Sequence, residues 1–186
     1  MKSHSNNFLL ERGKNLVPHI YREEFEKYLS EVSPEFPNVP RDAFEEWIYP
    51  FWNEHISLLY GGLDFKKLNF SLDTWPMSKF HLVKCYKKFD RHTSIQEEGT
   101  IEHLYQCYAY HKEAVSYWKD LGTWFKPPWV LDSNSFPSEM LHRDIEKPLM
   151  LIEGHTRLGG LRLHDKNGLA SQTHKIWVIS NKSKSK

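Results

Sequence analysis

Pro148-Leu149-Met150-Leu151-Ile152-Glu153-Gly154-His155-Thr156-Arg157-Leu158-Gly159-Gly160-Leu161-Arg162-Leu163 is the stretch that decides how this chain folds. Leu149 to Ile152 is an unbroken apolar run, the pattern of a strand covered on both faces. One acidic residue and one glycine follow. Leu158, Leu161 and Arg162 then recur at helical spacing. A strand that passes through Gly-His-Thr-Arg into a helix gathers unpaired backbone N–H groups and a guanidinium at one point. That is the chemistry of an oxyanion or phosphate site.

The flanks supply the rest of a sheet. Upstream, Lys126-Pro127-Pro128-Trp129-Val130-Leu131-Asp132 reads as a strand behind two prolines. Residues 133–147 read as a polar linker. Downstream, Asp165-Lys166-Asn167-Gly168 ends the helix, and Lys175-Ile176-Trp177-Val178-Ile179 is a closing strand. Strands separated by helices define a small α/β sheet. Further upstream, Thr100 caps a helix running to about Leu121, with Ile101, Leu104, Tyr105, Tyr108, Val115 and Trp118 as its buried stripe and Gly122 as its stop.

The first half is helical. Phe25, Tyr28, Leu29 and Val32 make one apolar face within residues 19–32. Pro34, Pro37 and Pro40 break it. Phe44, Trp47, Ile48, Phe51, His55, Leu58 and Leu59 then keep the helical period over residues 41–60, with a kink expected at Pro50 and a stop at Gly61-Gly62. His55 on that face reads as a buried, hydrogen-bonded histidine. Residues 1–18 read as a loosely held arm. Between the halves, Asp73-Thr74-Trp75-Pro76 resembles a helix entry, Phe80 to Phe89 suits helix and strand equally, and residues 92–99 read as a loop. The expected class is α+β: a helical region at 1–70, a small mixed sheet with helices at 71–180, and a disordered Ser/Lys tail at 181–186.

Composition narrows the function classes. Seven Trp, nine Tyr and eleven Phe in 186 residues suffice for a dense core. No apolar run is long enough to span a bilayer, and Met1 to Asn7 lack the apolar segment of a signal peptide, so a soluble cytoplasmic protein without a membrane partner is expected. Cys85 and Cys107 are too few for a disulfide framework and lie in no metal-binding spacing; they read as reduced thiols, and no protein-held metal site is expected. The net charge of +1 argues against strong sequence-blind nucleic-acid binding. Lys84, Lys87, Lys88 and Arg91, interleaved with Tyr86 and Phe89, are nevertheless the most basic stretch. They fit either a track for a nucleic-acid backbone, DNA included, or a solvated face.

Pro-Pro-Trp-Val-Leu, then Leu-Met-Leu-Ile-Glu-Gly-His-Thr-Arg-Leu-Gly-Gly-Leu, then Lys-Ile-Trp-Val-Ile, in that order, resembles the core of the ParB/sulfiredoxin superfamily, over about residues 100–180. In that family a strand runs into a Gly-x-x-Arg turn, here Gly154-His155-Thr156-Arg157, followed by a helix rich in small residues and a closing strand. The resemblance implies that this turn holds the phosphates of a nucleotide, ATP or CTP, with Mg²⁺ as a companion ion. His155 stands where sulfiredoxins carry their catalytic cysteine, so sulfiredoxin chemistry is not expected. The turn has a single arginine, which speaks against a chromosome-partition clamp. The remaining likeness is to small stand-alone ParB-like proteins of plasmids and phage-related gene sets.

Chemically, the turn suits its implied role. Gly154 allows a ligand to approach the main chain, the N–H groups of His155 to Leu158 are donors, and Arg157 can grip phosphate oxygens bidentately. Glu153 would orient metal or water, and His155 would carry a proton, giving ATP or CTP hydrolysis with nuclease activity as the implied reaction. The plainer alternative makes the turn pure architecture, with Arg157 paired to Glu153 or Asp132. A further expectation is a non-enzymatic inhibitor or immunity-type protein that binds a partner protein through its N-terminal helices, with exposed aromatics in residues 36–60.

Overall fold

A computed structural model describes residues 24–51, 59–108 and 111–182. It is an α+β protein, helical first and then built on a five-stranded mixed sheet. The chain divides into two compact units. One comprises residues 1–70, 132–146 and 179–186, and the other residues 71–131 and 147–178.

The first unit contains α1 (Phe25–Val32) and a helical segment, α2, over residues 41–51. Within α2 the stretch Phe44–Ile48 widens to a π-helix, and the Tyr49 N–H reaches the Phe44 carbonyl. The bulge sits immediately before Pro50. Proline has no N–H and its ring crowds the carbonyl four residues back, so a locally wider turn relieves both defects. The expected distortion is present, one turn earlier than the proline itself. His55 and residues 1–18 lie outside the described residues.

Aromatic rings build the core of this unit. Trp47 stacks on Phe65 at 5.8 Å and meets Tyr60 edge-on at 5.7 Å. Phe36, Phe44 and Trp47 are fully buried. The aromatic surplus of residues 36–60 is therefore largely consumed internally, and Phe51 is its exposed large hydrophobic among the described residues.

The sheet has the order β1-β5-β3-β4-β2. Its strands are β1 (Leu68–Pro76), β2 (Val83–Lys84), β3 (Trp129–Asp132), β4 (Leu149–Glu153) and β5 (Thr173–Asn181). β4 is buried from Leu149 to Ile152, as its unbroken apolar run requires. β5 alternates, with His174, Ile176 and Val178 buried and Thr173 and Lys175 exposed. It continues to Asn181, which is buried and donates its N–H to Ser135 Oγ, so the chain stays ordered into the first residue read as tail.

Three segments differ from expectation. The helix entry expected at residues 73–76 is the end of β1, and the helix, α3 (Met77–Phe80), begins only after Pro76. The expected loop at residues 92–99 is mostly the second half of a helix, α4 (Lys87–Glu97). The helix expected over residues 100–121 is two, α5 (Ile101–Cys107) and α6 (Lys112–Leu121). Thr100 caps the first by accepting from the His103 N–H at 3.1 Å, and left-handed Gly122 closes the second.

The last helix, α7 (His155–Lys166), lies on α4 through a very close approach. A methyl group at Gly159 would lie 2.3 Å from the Thr93 carbonyl oxygen, and one at Gly160 would lie 2.9 Å from Leu104. Contacts rise together along both helices: His155 meets Phe89, Gly159 meets Thr93, and Arg162 pairs with Glu97. The two helices are therefore parallel. Their preceding strands are parallel as well, with Val83 opposite Leu149 and Lys84 opposite Met150.

Gly159→Ala should accordingly cost about 3 kcal/mol, because backbone rather than a flexible side chain fills the space. Gly168→Ala should cost about 1 kcal/mol, since it meets nothing within 4 Å but has a φ of 67°. Urea midpoints at unchanged slope measure both. Equal losses would mean that the α4–α7 contact is not this tight.

Candidate functional site

β4 delivers the chain into α7 through Gly154, whose φ is 98°. Only glycine adopts that conformation without strain. A side chain there would also collide with Pro128, 2.5 Å away, and would crowd Arg157 Nε at 3.2 Å. The glycine thus seats the turn against the chain's own proline. The space that was expected to admit a ligand to the main chain is, on that side, filled by Pro128.

Arg157 is held firmly. Its Nη2 donates to Glu153 Oε2, and its Nη1 donates to the carbonyls of Lys126, at 2.7 Å, and Pro127, at 3.4 Å. Only 15% of the arginine side chain and 21% of the glutamate side chain are exposed. An ion pair this sheltered is strongly coupled, and removing either partner leaves an uncompensated charge. The guanidinium so ties β4, the turn and the segment before β3 together. This is the architectural arrangement expected as the alternative.

At the helix start, the Leu158 N–H already bonds the Gly154 carbonyl at 2.8 Å. Among the described residues, the N–H groups of His155 and Thr156 have no partner and remain as donors at the positive end of the helix dipole. The His155 ring packs edge-on against Phe89 at 5.3 Å, and its Nε2 is buried with no hydrogen-bond partner. Burial, with a lesser contribution from nearby His92, lowers its pKa to about 4. At neutral pH the ring is uncharged and a weak base. Glu153 is turned onto Arg157 rather than toward His155.

The basic stretch stands at the same end of the unit. Lys84 ends β2, and Lys87, Lys88 and Arg91 lie in the first turns of α4, all exposed. Because β2 and β4 are parallel and α4 and α7 are parallel, both helices start beyond the carboxyl ends of neighbouring strands. Open α/β sheets place ligands at that edge. The structure thus brings together two groups that the sequence kept apart, the Gly154–Arg157 turn and the lysine cluster. It does not bring Glu153 and His155 into contact.

Sequence reading missed three neighbours of this site. Phe89 and His92 face the turn from α4, with ring centroids 6.3 Å apart. Tyr108, assigned to a core stripe, stands close enough to Arg157 to feel its charge, although burial pushes its hydroxyl up to about 12. The aromatic residues within the basic stretch were the available signal for Phe89. Nothing signalled Tyr108, whose place depends on how α5 packs.

Arg162, the second arginine of the motif region, is a clamp and not part of the turn. It donates to the carbonyls of Val83, at 2.8 Å, and Phe80, at 3.3 Å, and pairs with Glu97. Among the described residues no three His, Cys, Asp or Glu side chains converge on a metal position, and no helix is long and apolar enough to cross a membrane.

Comparison with protein-family models, with curated proteins and with solved structures finds no match.

His174 shares the buried neutral state of His155. It lies between Phe80 and Trp124, with Nδ1 at 2.9 Å from the Thr123 hydroxyl, and burial lowers its pKa to about 4. The unfolded-chain value is 6.5. Below pH 6.5 the unfolded state therefore takes up protons that the native state refuses. Stability is full above pH 6.5 and falls as pH drops toward 4. The displacement at His174 is worth at most about 3 kcal/mol. Urea midpoints should decline between pH 7 and 4.5, and His174→Asn should flatten that decline; an unchanged slope would show that this histidine protonates freely in the native state.

Proposed function

We propose that this chain binds the phosphate groups of a nucleotide at the turn between β4 and α7. The reading includes its likeness to small ParB-like proteins of the ParB/sulfiredoxin superfamily. The observation that carries it is the convergence of two parallel helix starts, with the N–H groups of His155 and Thr156, Arg157, and the cations of α4 at one end of the unit. Partial positive charge from both helix dipoles adds to the full charges there, and an anion is the ligand that such a point favours.

Occupation requires Arg157 to exchange one partner. A phosphate oxygen would take the place of Glu153 on Nη2, while Nη1 keeps the Lys126 carbonyl. Arginine suits this exchange because its fork accepts carboxylate and phosphate in the same geometry. Freed Glu153 would then lie beside the bound phosphates, where it and phosphate oxygens would hold a Mg²⁺ ion. The proposal concerns binding. Hydrolysis of ATP or CTP, or cleavage of nucleic acid, would need Glu153 free of Arg157 and a base other than neutral His155.

Binding through the N-terminal helices to a partner protein gains less support, since Phe36, Phe44, Trp47 and Tyr60 are spent in the core.

Thermal melting with ATP, CTP or ADP, with and without Mg²⁺, tests the proposal. A nucleotide at about a hundred times its Kd should raise Tm by roughly 5 °C or more. Arg157→Ala should lose that rise whatever its own melting temperature, and Arg157→Lys should keep only part of it. Absence of any rise in the unsubstituted protein would overturn the proposal.

A further inference from the structure

The cations of α4 add to the positive field at the turn, and with the rings beside them they form a surface of their own. Lys84, Lys87, Lys88 and Arg91 are exposed, and among the described residues none of them makes an ion pair. Several cations elsewhere are engaged: Arg41 with Glu26, Lys66 with Glu35, Lys67 with Asp64, Arg157 with Glu153, and Arg162 and Lys166 with Glu97. In addition, Lys87 and Lys88 occupy the first turn of an 11-residue helix, with Asp90 as the acidic residue beside them. That is the positive end of its dipole, where cations are disfavoured and acidic side chains stabilise. Local stability does not explain them. A residue choice that works against its own helix marks a place where another requirement prevails.

Rings adjoin these charges. Tyr86 meets Phe89 at 5.8 Å, and Phe89 meets His92 at 6.3 Å and His155 at 5.3 Å. Phe89 is partly exposed and His92 is exposed. Spaced cations beside an accessible aromatic edge match a chain of phosphates with unpaired bases. The cations follow the backbone, and a base face rests on the rings. A duplex hides those faces within its stack, and a lipid surface has none to offer.

We infer that the β2–α4 face, Lys84, Lys87, Lys88 and Arg91 with Phe89 and His92, is a binding surface for single-stranded nucleic acid. It uses side chains other than those of the Gly154–Arg157 turn, so it stands whether or not the turn holds a nucleotide.

Fluorescence anisotropy of a labelled oligothymidine with the full chain is the test. Affinity should fall with added salt. The triple variant Lys87→Gln, Lys88→Gln, Arg91→Gln should lose roughly tenfold or more in affinity and should lower the salt slope by roughly 2. These side chains are exposed and unpaired, so its melting temperature should stay that of the unsubstituted protein, which shows that it folds. His92→Ala should weaken oligothymidine binding without changing the salt slope. Arg157→Ala should abolish the nucleotide-induced rise in Tm and leave oligothymidine binding in place, which separates this surface from the turn. Equal affinity for a duplex of the same length, binding to phosphatidylserine vesicles in preference to the oligonucleotide, or unchanged affinity in the folded triple variant would each overturn the inference.

Discussion

The close approach of Gly159 to the Thr93 carbonyl is the constraint on which the candidate site depends. Two helices can come this near only where one of them lacks a side chain, and α7 supplies Gly159 at the contact, while its neighbour Gly160 admits Leu104 of α5. The approach fixes α4 parallel to α7 and so brings both positive helix ends to one edge of the sheet. Arg162 reinforces it by bonding the carbonyls at Phe80 and Val83, at the entrance to β2, while Glu97 bridges Arg162 and Lys166. The position of the lysine cluster thus follows from packing at a point well along both helices from the cluster itself.

Electrostatics at the turn has two aspects. Arg157 is satisfied within the chain by Glu153 and two carbonyls, which gives the turn its rigidity. In the proposed phosphate complex, the carboxylate of Glu153 would be the group that an external anion displaces from that guanidinium. A sheltered pair of this kind is costly to break by deletion but cheap to convert by exchange, because exchange leaves neither the guanidinium nor the helix ends without negative charge. Neutral His155 follows the same logic. Burial, with a lesser contribution from His92, makes a charged imidazole unfavourable there.

Much of the sheet was legible because its strands follow simple rules. β3, β4 and β5 appear where apolar runs lie behind prolines or after glycines, and Thr100, Gly122 and Gly168 bound their helices as their chemistry demands. α4 was not legible. Its buried residues are Thr93 and Gln96, which pack against glycine and give no apolar period. β1 was missed for a related reason. It is an edge strand with several half-exposed positions, so its alternation is shallow, and Pro76 imitates a helix entry. The turn was read correctly as strand, glycine and helix. The state of its side chains was not legible, because Pro128 reaches Gly154, and the Lys126 carbonyl reaches Arg157, from about thirty residues away in sequence.

By itself the sequence determined the local elements: an α+β chain, a strand that must enter a helix through Gly154, and a cluster of cations beside aromatic rings. Periodicity, proline and glycine decide such things within a few residues. Only the tertiary structure decided which of these features meet. Parallel pairing of β2 with β4, and the glycine contact between α4 and α7, join segments more than sixty residues apart. Long-range packing of that kind leaves no mark in any local window, and it is what turns a glycine turn and a basic helix into one electropositive edge.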